Sequence, residues 1–417
     1  MRILRLRAYY FPEQVASSHL LKDMDAEYRK QGVEQLILTP MPTRGIDEEQ
    51  RKEYKKKRVE VSNDGLITVH RFPMFREPSN PMLRMCRYLL CNVIEYGKGI
   101  RSENIDLVYA ASTPPIQGLL SGLVAGKLSK KYGHKVPFVY NLQDIFPDSL
   151  VNAGMARKGG MIWRIGRRME DATYKKADKI IVISEGFKRN IMAKGVPEEK
   201  IVVVPNWVDT EKIRPVPRAE NPLFERLGLD RSRFYICYSG NIGHSQNIPL
   251  LLDAAKQLET EAADLRFVII GEGAEKAFLK DQIEKKQIQN MILAPFQPAE
   301  DLAYVFSLGD AGLVISKPGI GASSVPSKTW SIMAAGKPVI ASFDEDSELT
   351  ELLRTEQCGL CSDADDLSGF VANILRMYND RDTCVAMGER GQRYAKEYLN
   401  KQRCIGMYID TLRSALC

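Results

Sequence analysis

Three loops in the second half of the chain combine glycines with small polar residues, a composition that suits binding of a phosphate group. The first, Tyr238 to Asn247, reads YSGNIGHSQN between a predicted strand and a predicted helix. Ser239, Gly240 and Gly243 allow a tight turn whose backbone N–H groups could face an anion at the start of the helix. Two glycines in such a loop are also common for structural reasons, so this loop alone does not decide its role.

A second loop, Gly271 to Ala274, follows a predicted strand in the same way and reads GEGA. Gly271 and Gly273 are candidates for contact with a phosphate. The third glycine of a dinucleotide fingerprint is missing, and no acidic residue about 20 positions later is placed to bind a ribose. The sequence therefore disfavours NAD.

The third segment, Ser316 to Ser342, reads SKPGIGASSVPSKTWSIMAAGKPVIAS. It predicts a strand end, a glycine-containing loop, and a helix from about Ser327 to Ala335 with Ser327 at or near its N-cap. Lys328 then falls in the first turn, where the helix dipole disfavours a cation. This placement indicates either a nearby anion or a solvated surface lysine.

Short β-branched runs alternate with amphipathic segments throughout, which predicts parallel sheets with crossover helices in two α/β domains. A connector with prolines and mixed charge separates the domains. In doubly wound sheets ligands bind at the carboxyl ends of the strands, so we expect chemistry in a cleft between the domains. The predicted strands are Ile3–Tyr9, Gln35–Thr39, Leu66–Phe72, Asp106–Ala111, Pro137–Asn141, Lys179–Ile183, Ile201–Val204, Phe234–Tyr238, Leu265–Ile270, Met291–Pro295, Gly312–Ile315 and Pro338–Ser342.

The composition is that of a globular protein of 417 residues, long enough for two or three domains. The net charge is +12 over residues 1 to 205 and −6 over the remainder, so the first half is suited to an anionic partner. No apolar run reaches the ~18 residues of a membrane span, and we expect a cytoplasmic protein without a secretory signal. The 8 cysteines, including Cys358 and Cys361, do not complete a zinc motif, and no metal site is expected.

The order of these motifs, with Pro295 to Gln297 between the second and third, resembles the donor-binding half of glycosyltransferase family 4. In the first half, Tyr9 to Gln14 (YYFPEQ) and Asn141 to Leu150 (NLQDIFPDSL) resemble bacterial members that build O-antigen, capsule or exopolysaccharide. The resemblance implies the GT-B fold of two Rossmann-like domains, with retention of anomeric configuration.

The resemblance also implies that the two domains bind different substrates. Residues 1–206 would bind the acceptor and residues 207–389 a nucleotide-sugar, with terminal helices from about 390 to 417 packing back onto the first domain. The donor would be a UDP-sugar of the L-fucosamine type, and the acceptor a saccharide linked to a polyprenyl diphosphate. No further cofactor is implied.

The chain departs from the usual family pattern at the donor site. Ser323 and Ser331 stand where most members have two glutamates, and Asn241 and Gln246 stand where an arginine and a lysine usually hold the diphosphate. Lys328 is then the remaining cation for this role.

The other expected donor contacts follow from that placement. Ser327 and the backbone of Ser239–Asn241 and Gly321–Ser324 would assist Lys328. Uridine would rest at Pro295–Gln297, which includes Phe296, and Ser331 or the stretch Asp344–Glu348 would contact the ribose. An acidic helix start is the alternative for that stretch. The predicted donor residues are Ser239, Gly240, Asn241, Gln246, Gly271, Gly273, Phe296, Gly321, Ser323, Ser324, Ser327, Lys328 and Ser331.

Retaining transfer in this family is thought to need no side-chain nucleophile, because the donor phosphate accepts the proton of the acceptor. On the acceptor side, Asp144, Glu13 and His19 are candidates for catalytic roles. Asp144 is favoured since it ends a predicted strand. His19 could equally be a capping or core histidine.

Three basic segments of the first half predict attachment to an anionic membrane surface: Arg51–Arg58, Met82–Ile94 with Arg76, Arg84, Arg87, Lys98 and Arg101 around it, and Arg157–Arg168. Each segment alone is more typical of a solvated charged face or a core helix than of a membrane site. Together they favour a peripheral protein at the inner face of the cytoplasmic membrane.

Two other functions are compatible with parts of the pattern. A UDP-sugar 2-epimerase of the same fold would need acid and base groups on both sides of the sugar, and only one acidic candidate is well placed. A non-catalytic basic adaptor would explain the charge asymmetry. Nucleic acid is disfavoured as a partner because the basic runs lack a series of interleaved aromatic residues, each containing a single one.

Overall fold

In the computed structural model the chain divides into two compact units. Unit 1 comprises Met1–Pro205 and Cys404–Cys417, and unit 2 comprises Asn206–Arg403. The structure describes residues 1–13, 18–78, 80–152, 156–321 and 326–417.

Unit 1 contains a sheet in the order β3-β4-β2-β1-β5-β6-β7-β8. All neighbouring pairs are parallel except β3 and β4. The central strands β1, β5 and β6 are almost completely buried, as expected when helices cover both faces of a parallel sheet, although β1 contains Arg2 and Arg5. The strands are β1 (Arg2–Leu6), β2 (Glu34–Pro40), β3 (Val59–Ser62), β4 (Ile67–Phe72), β5 (Leu107–Ala111), β6 (Phe138–Leu142), β7 (Lys179–Val182) and β8 (Ile201–Val203).

The helices of unit 1 mostly connect successive strands. They are α1 (Ser18–Lys30), α2 (Glu48–Lys56), α3 (Pro81–Gly99), α4 (Gln117–Tyr132), α5 (Asp148–Asn152), α6 (Met161–Lys176) and α7 (Glu185–Ala193), with a 3-10 turn at Glu198–Lys200.

Unit 2 contains a parallel sheet in the order β11-β10-β9-β12-β13-β14. The chain leaves the central strand β9 toward β10 on one side and returns to β12 on the other, which makes β9 and β12 the switch point of the sheet. The strands are β9 (Phe234–Ser239), β10 (Leu265–Ile270), β11 (Met291–Ala294), β12 (Ala311–Ile315), β13 (Val339–Ser342) and β14 (Gly359–Ser362).

The remaining helices are α8 (Leu223–Arg226), α9 (Ile248–Glu261), α10 (Lys276–Lys285), α11 (Leu302–Ser307), α12 (Lys328–Ala334), α13 (Glu348–Thr355), α14 (Leu367–Asn379), α15 (Arg381–Tyr398) and α16 (Lys401–Ser414), with 3-10 turns at Arg218–Glu220 and Ala299–Asp301. Helix α15 packs against α12 within unit 2.

The C-terminal segment returns to unit 1 through α16. Tyr408 is buried, and its hydroxyl donates a hydrogen bond of 3.2 Å to Oδ1 of Asn141 at the end of β6. The returning segment begins at Cys404 rather than near residue 390, because α15 belongs to unit 2.

All twelve predicted strands are present, and the prediction of two doubly wound α/β domains is confirmed. Strand β1 ends at Leu6, so Tyr9 lies in the loop after it. Strands β3 and β14 were not predicted. A signal for β3 exists in the alternation Val-Glu-Val-Ser before a turn in which Asn63, Asp64 and Gly65 all have positive φ.

Candidate active site

The loops that follow β9 and β10 are bound to each other along their backbones. The N–H of Gly240 donates to Ile270 O (3.0 Å), and the N–H of Ile242 donates to Glu272 O (2.8 Å). A Cβ on Gly271 would lie 2.0 Å from Gly240 O, and one on Gly273, where φ is +155°, would lie 2.2 Å from Ile242 O. Close packing of the two loops thus accounts for both glycines of GEGA.

Side chains within the loop after β9 fix its shape. The hydroxyl of Tyr238 donates to Asn241 O (2.5 Å), and Oε1 of Gln246 accepts from the N–H of Gly243 (2.8 Å). Gln246 therefore closes the turn, while Asn241 is exposed and Ser239 and Gly240 are partly exposed. The loop leaves the backbone of Ser239 and Gly240 at the carboxyl end of the central strand, where this type of sheet binds ligands.

The ammonium group of Lys328 lies against this same loop. Its Nζ is 3.7 Å from the ring centroid of Tyr238. A Cβ added at Gly240 would lie 3.5 Å from that Nζ, so the cation sits directly beside the Gly240 backbone. The structure thus places Lys328 beside Gly240, and their shared role in donor binding stays a prediction.

Lys328 has no carboxylate partner among the described residues. It is partly buried at the first position of α12, and burial lowers the pKa of its ammonium group to about 7. The Tyr238 ring supplies only a cation–π contact. A desolvated cation without a counter-ion is a site that an anionic ligand would stabilise.

The neighbouring residues of α12 have the expected positions. Ser327 is the N-cap residue and is exposed, but its side chain caps no helix N–H. Ser331 is partly buried one turn further along the helix. Ser323 and Ser324 lie outside the described residues.

Gly321 differs from the prediction, because a side chain already binds its backbone. Asp344 accepts from the N–H of Gly319 through Oδ1 (2.8 Å) and from the N–H of Gly321 through Oδ2 (2.5 Å). The Gly321 amide is therefore not available to a diphosphate, and Asp344 is engaged in holding the loop. Helix α13 begins at Glu348 with Ser347 as its N-cap, which confirms an acidic helix start in this stretch.

Phe296 is a surface residue in the loop after β11. Its relative exposure is 66 %, and the adjacent Gln297 fixes the turn by donating to Pro295 O (2.7 Å). The loop leaves the same carboxyl edge of the sheet as the loops after β9 and β10. An exposed aromatic ring at this edge is compatible with stacking on a base, and its role with uridine stays a prediction.

In unit 1, Glu13 has a structural environment. It is buried, and its Oε1 accepts from the N–H groups of Thr43 (2.7 Å) and Arg44 (3.0 Å). Burial raises its pKa. These bonds anchor the loop after β2, so the geometry fits a positioning residue rather than the catalytic role expected from the sequence.

Asp144 lies at the carboxyl end of β6, as predicted. Its backbone N–H and that of Gln143 both donate to Ser112 Oγ, each at 3.1 Å. Although Asp144 is exposed at the surface, the protein around its carboxyl group raises its pKa by desolvation, partly offset by a hydrogen bond with Ser149. Asp148, in contrast, is bound by Lys194 at 2.7 Å.

His19 is exposed at the second position of α1. Because it lies on the surface, its interpretation as a core histidine is wrong. The segment that precedes α1, from residue 14 to residue 17, lies outside the described residues. A catalytic role for His19 stays a prediction.

Two of the arginines assigned to basic surface segments are buried. Arg51 donates to Met74 O (3.3 Å), and Arg87 donates through Nε to Phe75 O (3.1 Å). Arg76 and Arg84 are paired with Glu48 and Glu77. These four residues hold loops together and contribute little positive charge to the surface.

Most apolar residues of α3 point outward instead, although Cys91 and Ile94 pack inward. The buried positions of the helix are occupied by Arg87, Cys91, Asn92 and Glu95. The exposed apolar residues of α3 are Met82, Leu83, Met85, Leu89, Leu90 and Val93, and those of α6 are Met161, Ile162 and Ile165. Among the described residues no helix is long and apolar enough to cross a membrane.

Comparison with known proteins decides the family. The model for Glycosyltransferase Family 4 matches residues 19–212, and the model for Glycosyl transferases group 1 matches residues 220–394. The chain is a family 4 glycosyltransferase. The two matches take in most of both units of the glycosyltransferase, in the order that its motifs indicated.

The glycosyltransferase is similar to curated bacterial proteins. It is 28% identical over 280 residues to the colanic acid biosynthesis glycosyl transferase WcaI of Escherichia coli, covering 66% of this chain and 67% of the relative. It is 26% identical over 253 residues to the glycosyltransferase WbjE of Pseudomonas aeruginosa, covering 61% of each chain. The chain thus spans about two thirds or less of these relatives.

Solved structures share its fold. Sucrose-phosphate synthase from Thermosynechococcus elongatus matches with a TM-score of 0.75 at 15% identity, covering 99% of this chain and 98% of the other. HepE from Anabaena, in complex with UDP, matches with a TM-score of 0.72 at 16% identity, covering 99% and 100%. The glycosyltransferase therefore has the GT-B fold.

Proposed function

We propose that this enzyme transfers a sugar from a UDP-linked donor to a lipid-linked saccharide during synthesis of a bacterial surface polysaccharide. The observation that carries the proposal is the partly buried Lys328 ammonium beside Gly240, which has no carboxylate partner among the described residues. The UDP complex of HepE and the colanic acid relative WcaI support the choice of donor and pathway. An L-fucosamine-type donor sugar stays a prediction.

The donor diphosphate would bind to Lys328 at the carboxyl end of β9, next to Gly240, whose own N–H is already donated to Ile270 O. Negative charge builds up on the diphosphate as its bond to the sugar breaks. A fixed cation in a partly desolvated position stabilises that charge more strongly than a solvated one. Lys328 would therefore act on the leaving group, and no metal ion is assigned to that role in this proposal.

The proposed transfer retains the anomeric configuration. The bond between sugar C1 and the diphosphate oxygen breaks, the acceptor oxygen bonds to C1 on the same face, and the acceptor proton passes to the diphosphate oxygen. The protein then contributes mainly by positioning both substrates. Asp144 is the favoured acceptor-side residue, since it ends a strand and its carboxyl group has a raised pKa.

Nucleotide titration of a pair of lysine variants tests the donor site. Lys328→Met should weaken UDP binding at least about tenfold, the effect of losing one ion pair of about 1.4 kcal/mol. Lys337→Met is the matched control, because burial also lowers the pKa of Lys337 in unit 2. Equal UDP affinity of the wild type and Lys328→Met would contradict the proposal.

We also propose that the enzyme attaches to the inner face of the cytoplasmic membrane through the apolar rim, defined as the exposed apolar residues of α3 and α6. Both helices begin at the carboxyl edge of the unit 1 sheet, and α4 packs between them. An exposed apolar face of this extent indicates an interaction surface.

Exposed basic residues of α6 and of the loop before it accompany the apolar rim, and they have no ion-pair partner among the described residues. They are Arg157, Lys158, Arg164 and Arg168. Each basic residue near an anionic lipid surface contributes about 1 kcal/mol. This positive charge favours an anionic bilayer as the partner that covers the apolar rim. Attachment to the bilayer would bring the acceptor-binding unit to a lipid-linked substrate.

Vesicle flotation tests this attachment. The wild type should float with phosphatidylglycerol vesicles, and the substitutions Leu89→Gln and Ile162→Gln together should reduce the floating fraction. Val59→Gln and Val61→Gln form the matched control, because these valines are exposed on β3 outside the rim. If both double variants float equally well, the rim is not the attachment surface.

A further inference from the structure

Unit 1 contains a cavity that the proposed donor site does not use. Its volume is about 760 Å³, and it lies between α1 and the strands β3 and β4. Residues that line it include Phe11, Lys22, Asp25, Tyr54, Asn63 and Arg71. We call it the α1–β4 groove. Its volume is in the range of small-molecule sites.

The wall of the groove contains aromatic rings and planar polar groups. The Arg71 guanidinium lies over the Tyr54 ring, 4.8 Å from its centroid. Tyr10 and Phe11 form an edge-to-face pair with ring centroids 5.2 Å apart. Rings combined with hydrogen-bonding groups suit a ligand that has an apolar face and polar edges, which describes a sugar ring.

The carboxylates of the groove are already engaged. Asp25 accepts from Arg5 (2.7 Å) and from the Tyr10 hydroxyl (2.8 Å). Glu60 is paired with Arg71, and Asp64 is paired with Arg29. These groups therefore offer little attraction to a cationic ligand.

Within the described part of the chain, two cations of the groove, Arg71 and Lys22, retain unsatisfied hydrogen-bonding groups, whereas Arg29 and Lys30 are paired with Asp64 and Glu27. Arg71 is buried, and its Nη1 has no hydrogen-bond partner among the described residues. Lys22 is exposed on α1, and no described carboxylate pairs with it. Lys55 and Lys56, on α2 next to Tyr54, do not line the groove, but they are exposed and have no carboxylate partner among the described residues. The groove is thus suited to an anionic ligand.

From these contacts we infer that the α1–β4 groove binds a sugar residue that carries a carboxylate or a phosphate group. The anionic group would pair with Lys22, while the ring would lie along Tyr54 and Phe11. This inference goes beyond the proposed transfer, and it does not depend on the donor site, which is built from residues of unit 2.

Calorimetric titration of the full chain with four probes tests the inference. A disaccharide of glucuronic acid and N-acetylglucosamine represents the carboxylate, and glucose 1-phosphate represents the phosphate. Diacetylchitobiose is the neutral control, and inorganic phosphate is the control without a ring. Binding of either anionic sugar above both controls supports the inference and identifies the anionic group. Equal binding of the neutral disaccharide or of inorganic phosphate would overturn it, as would no binding of either anionic sugar.

Variants then place the binding in the groove. Lys22→Ser should weaken binding of the anionic sugar about fivefold, and Tyr54→Leu should weaken it through loss of the ring. Lys127→Ser, an exposed lysine on α4, is the control. Retained UDP binding in each variant shows that unit 2 is intact. A failure of the groove proposal can therefore be distinguished from a failure of the donor-site proposal. Equal effects of Lys22→Ser and Lys127→Ser would contradict the assignment to the groove.

Discussion

At the scale of single residues, the proposed donor site depends on Lys328, the cation that lies beside the Gly240 backbone. Its position in the first turn of a helix, opposed by the helix dipole, made it a candidate cation, and the structure places it against the loop after β9. The contact with Tyr238 was not predicted. Nothing in the sequence around a tyrosine at the end of a buried strand indicates that its ring will make a cation–π contact with a lysine about 90 positions later in the chain.

The lowered pKa of Lys328 predicts that UDP affinity depends on pH. Below about pH 7 the free enzyme carries the ammonium, and above it the neutral amine predominates, so binding must include uptake of a proton. UDP affinity should fall more than about tenfold between pH 7 and pH 9. This range lies above the second ionisation of a phosphate group near pH 6. Calorimetry at fixed ionic strength measures the change, and a flat profile would show that Lys328 does not serve the diphosphate.

Gly271 offers a residue-scale test of the loop contact. A Cβ there would lie 2.0 Å from the Gly240 carbonyl oxygen, which is backbone and cannot rotate away. Gly271→Ala should therefore displace the loop, lower the free energy of unfolding by about 1–3 kcal/mol and weaken UDP binding. Gly126→Ala is the matched control, since a Cβ on this exposed glycine of α4 meets no atom within 4 Å. Denaturant titration should separate the two variants.

At the scale of secondary-structure elements, α3 shows why amphipathic periodicity alone is ambiguous. Its apolar face has helical spacing, which is compatible with both a core helix and a surface helix. The structure buries Arg87, Asn92 and Glu95 instead, and this orientation depends on partners that come from other elements. Gln117 of α4, for example, donates to Glu95 Oε2 at 2.7 Å. Such long-range pairs leave no local pattern in the sequence.

Glu95 gives this orientation a measurable consequence. Burial raises its pKa to about 8, so the folded state holds a proton that the unfolded chain releases between about pH 4.5 and 8. Glu95 should therefore reduce stability progressively as the pH rises through that window. Glu95→Gln should remove this contribution and be more stable than the wild type at pH 8.5 but not at pH 5. Urea unfolding of both proteins at the two pH values tests this prediction. If the stability difference between Glu95→Gln and the wild type is the same at pH 5 and pH 8.5, the pKa of Glu95 is not raised.

At the scale of the whole molecule, the sequence predicted twelve strands and the two-domain plan, because most buried strands are short runs rich in apolar residues that can be recognised without knowing their partner strands. The strands it missed are at sheet edges, where β3 is mostly exposed and β14 contains Gly359. Within the candidate site, the sequence indicated Lys328 and the loop after β9. It misassigned the amide of Gly321, whose partner Asp344 follows a different strand.

The charge distribution of the whole chain predicts how membrane attachment depends on salt. Residues 1 to 205 carry +12, whereas the apolar rim carries no charge. Raising the salt from 0.15 M to 1 M shortens the screening length from about 8 Å to about 3 Å. The fraction bound to phosphatidylglycerol vesicles should fall and level off above zero, because the apolar contact remains. Complete release at high salt would indicate purely electrostatic attachment and would contradict a role for the rim.

A crystal structure of the enzyme with UDP tests the central claim most directly. The account predicts the diphosphate at the carboxyl end of β9, next to Gly240, with an oxygen about 2.7–2.9 Å from Lys328 Nζ. A nucleotide bound elsewhere, with the Lys328 ammonium still resting on the Tyr238 ring alone, would contradict it.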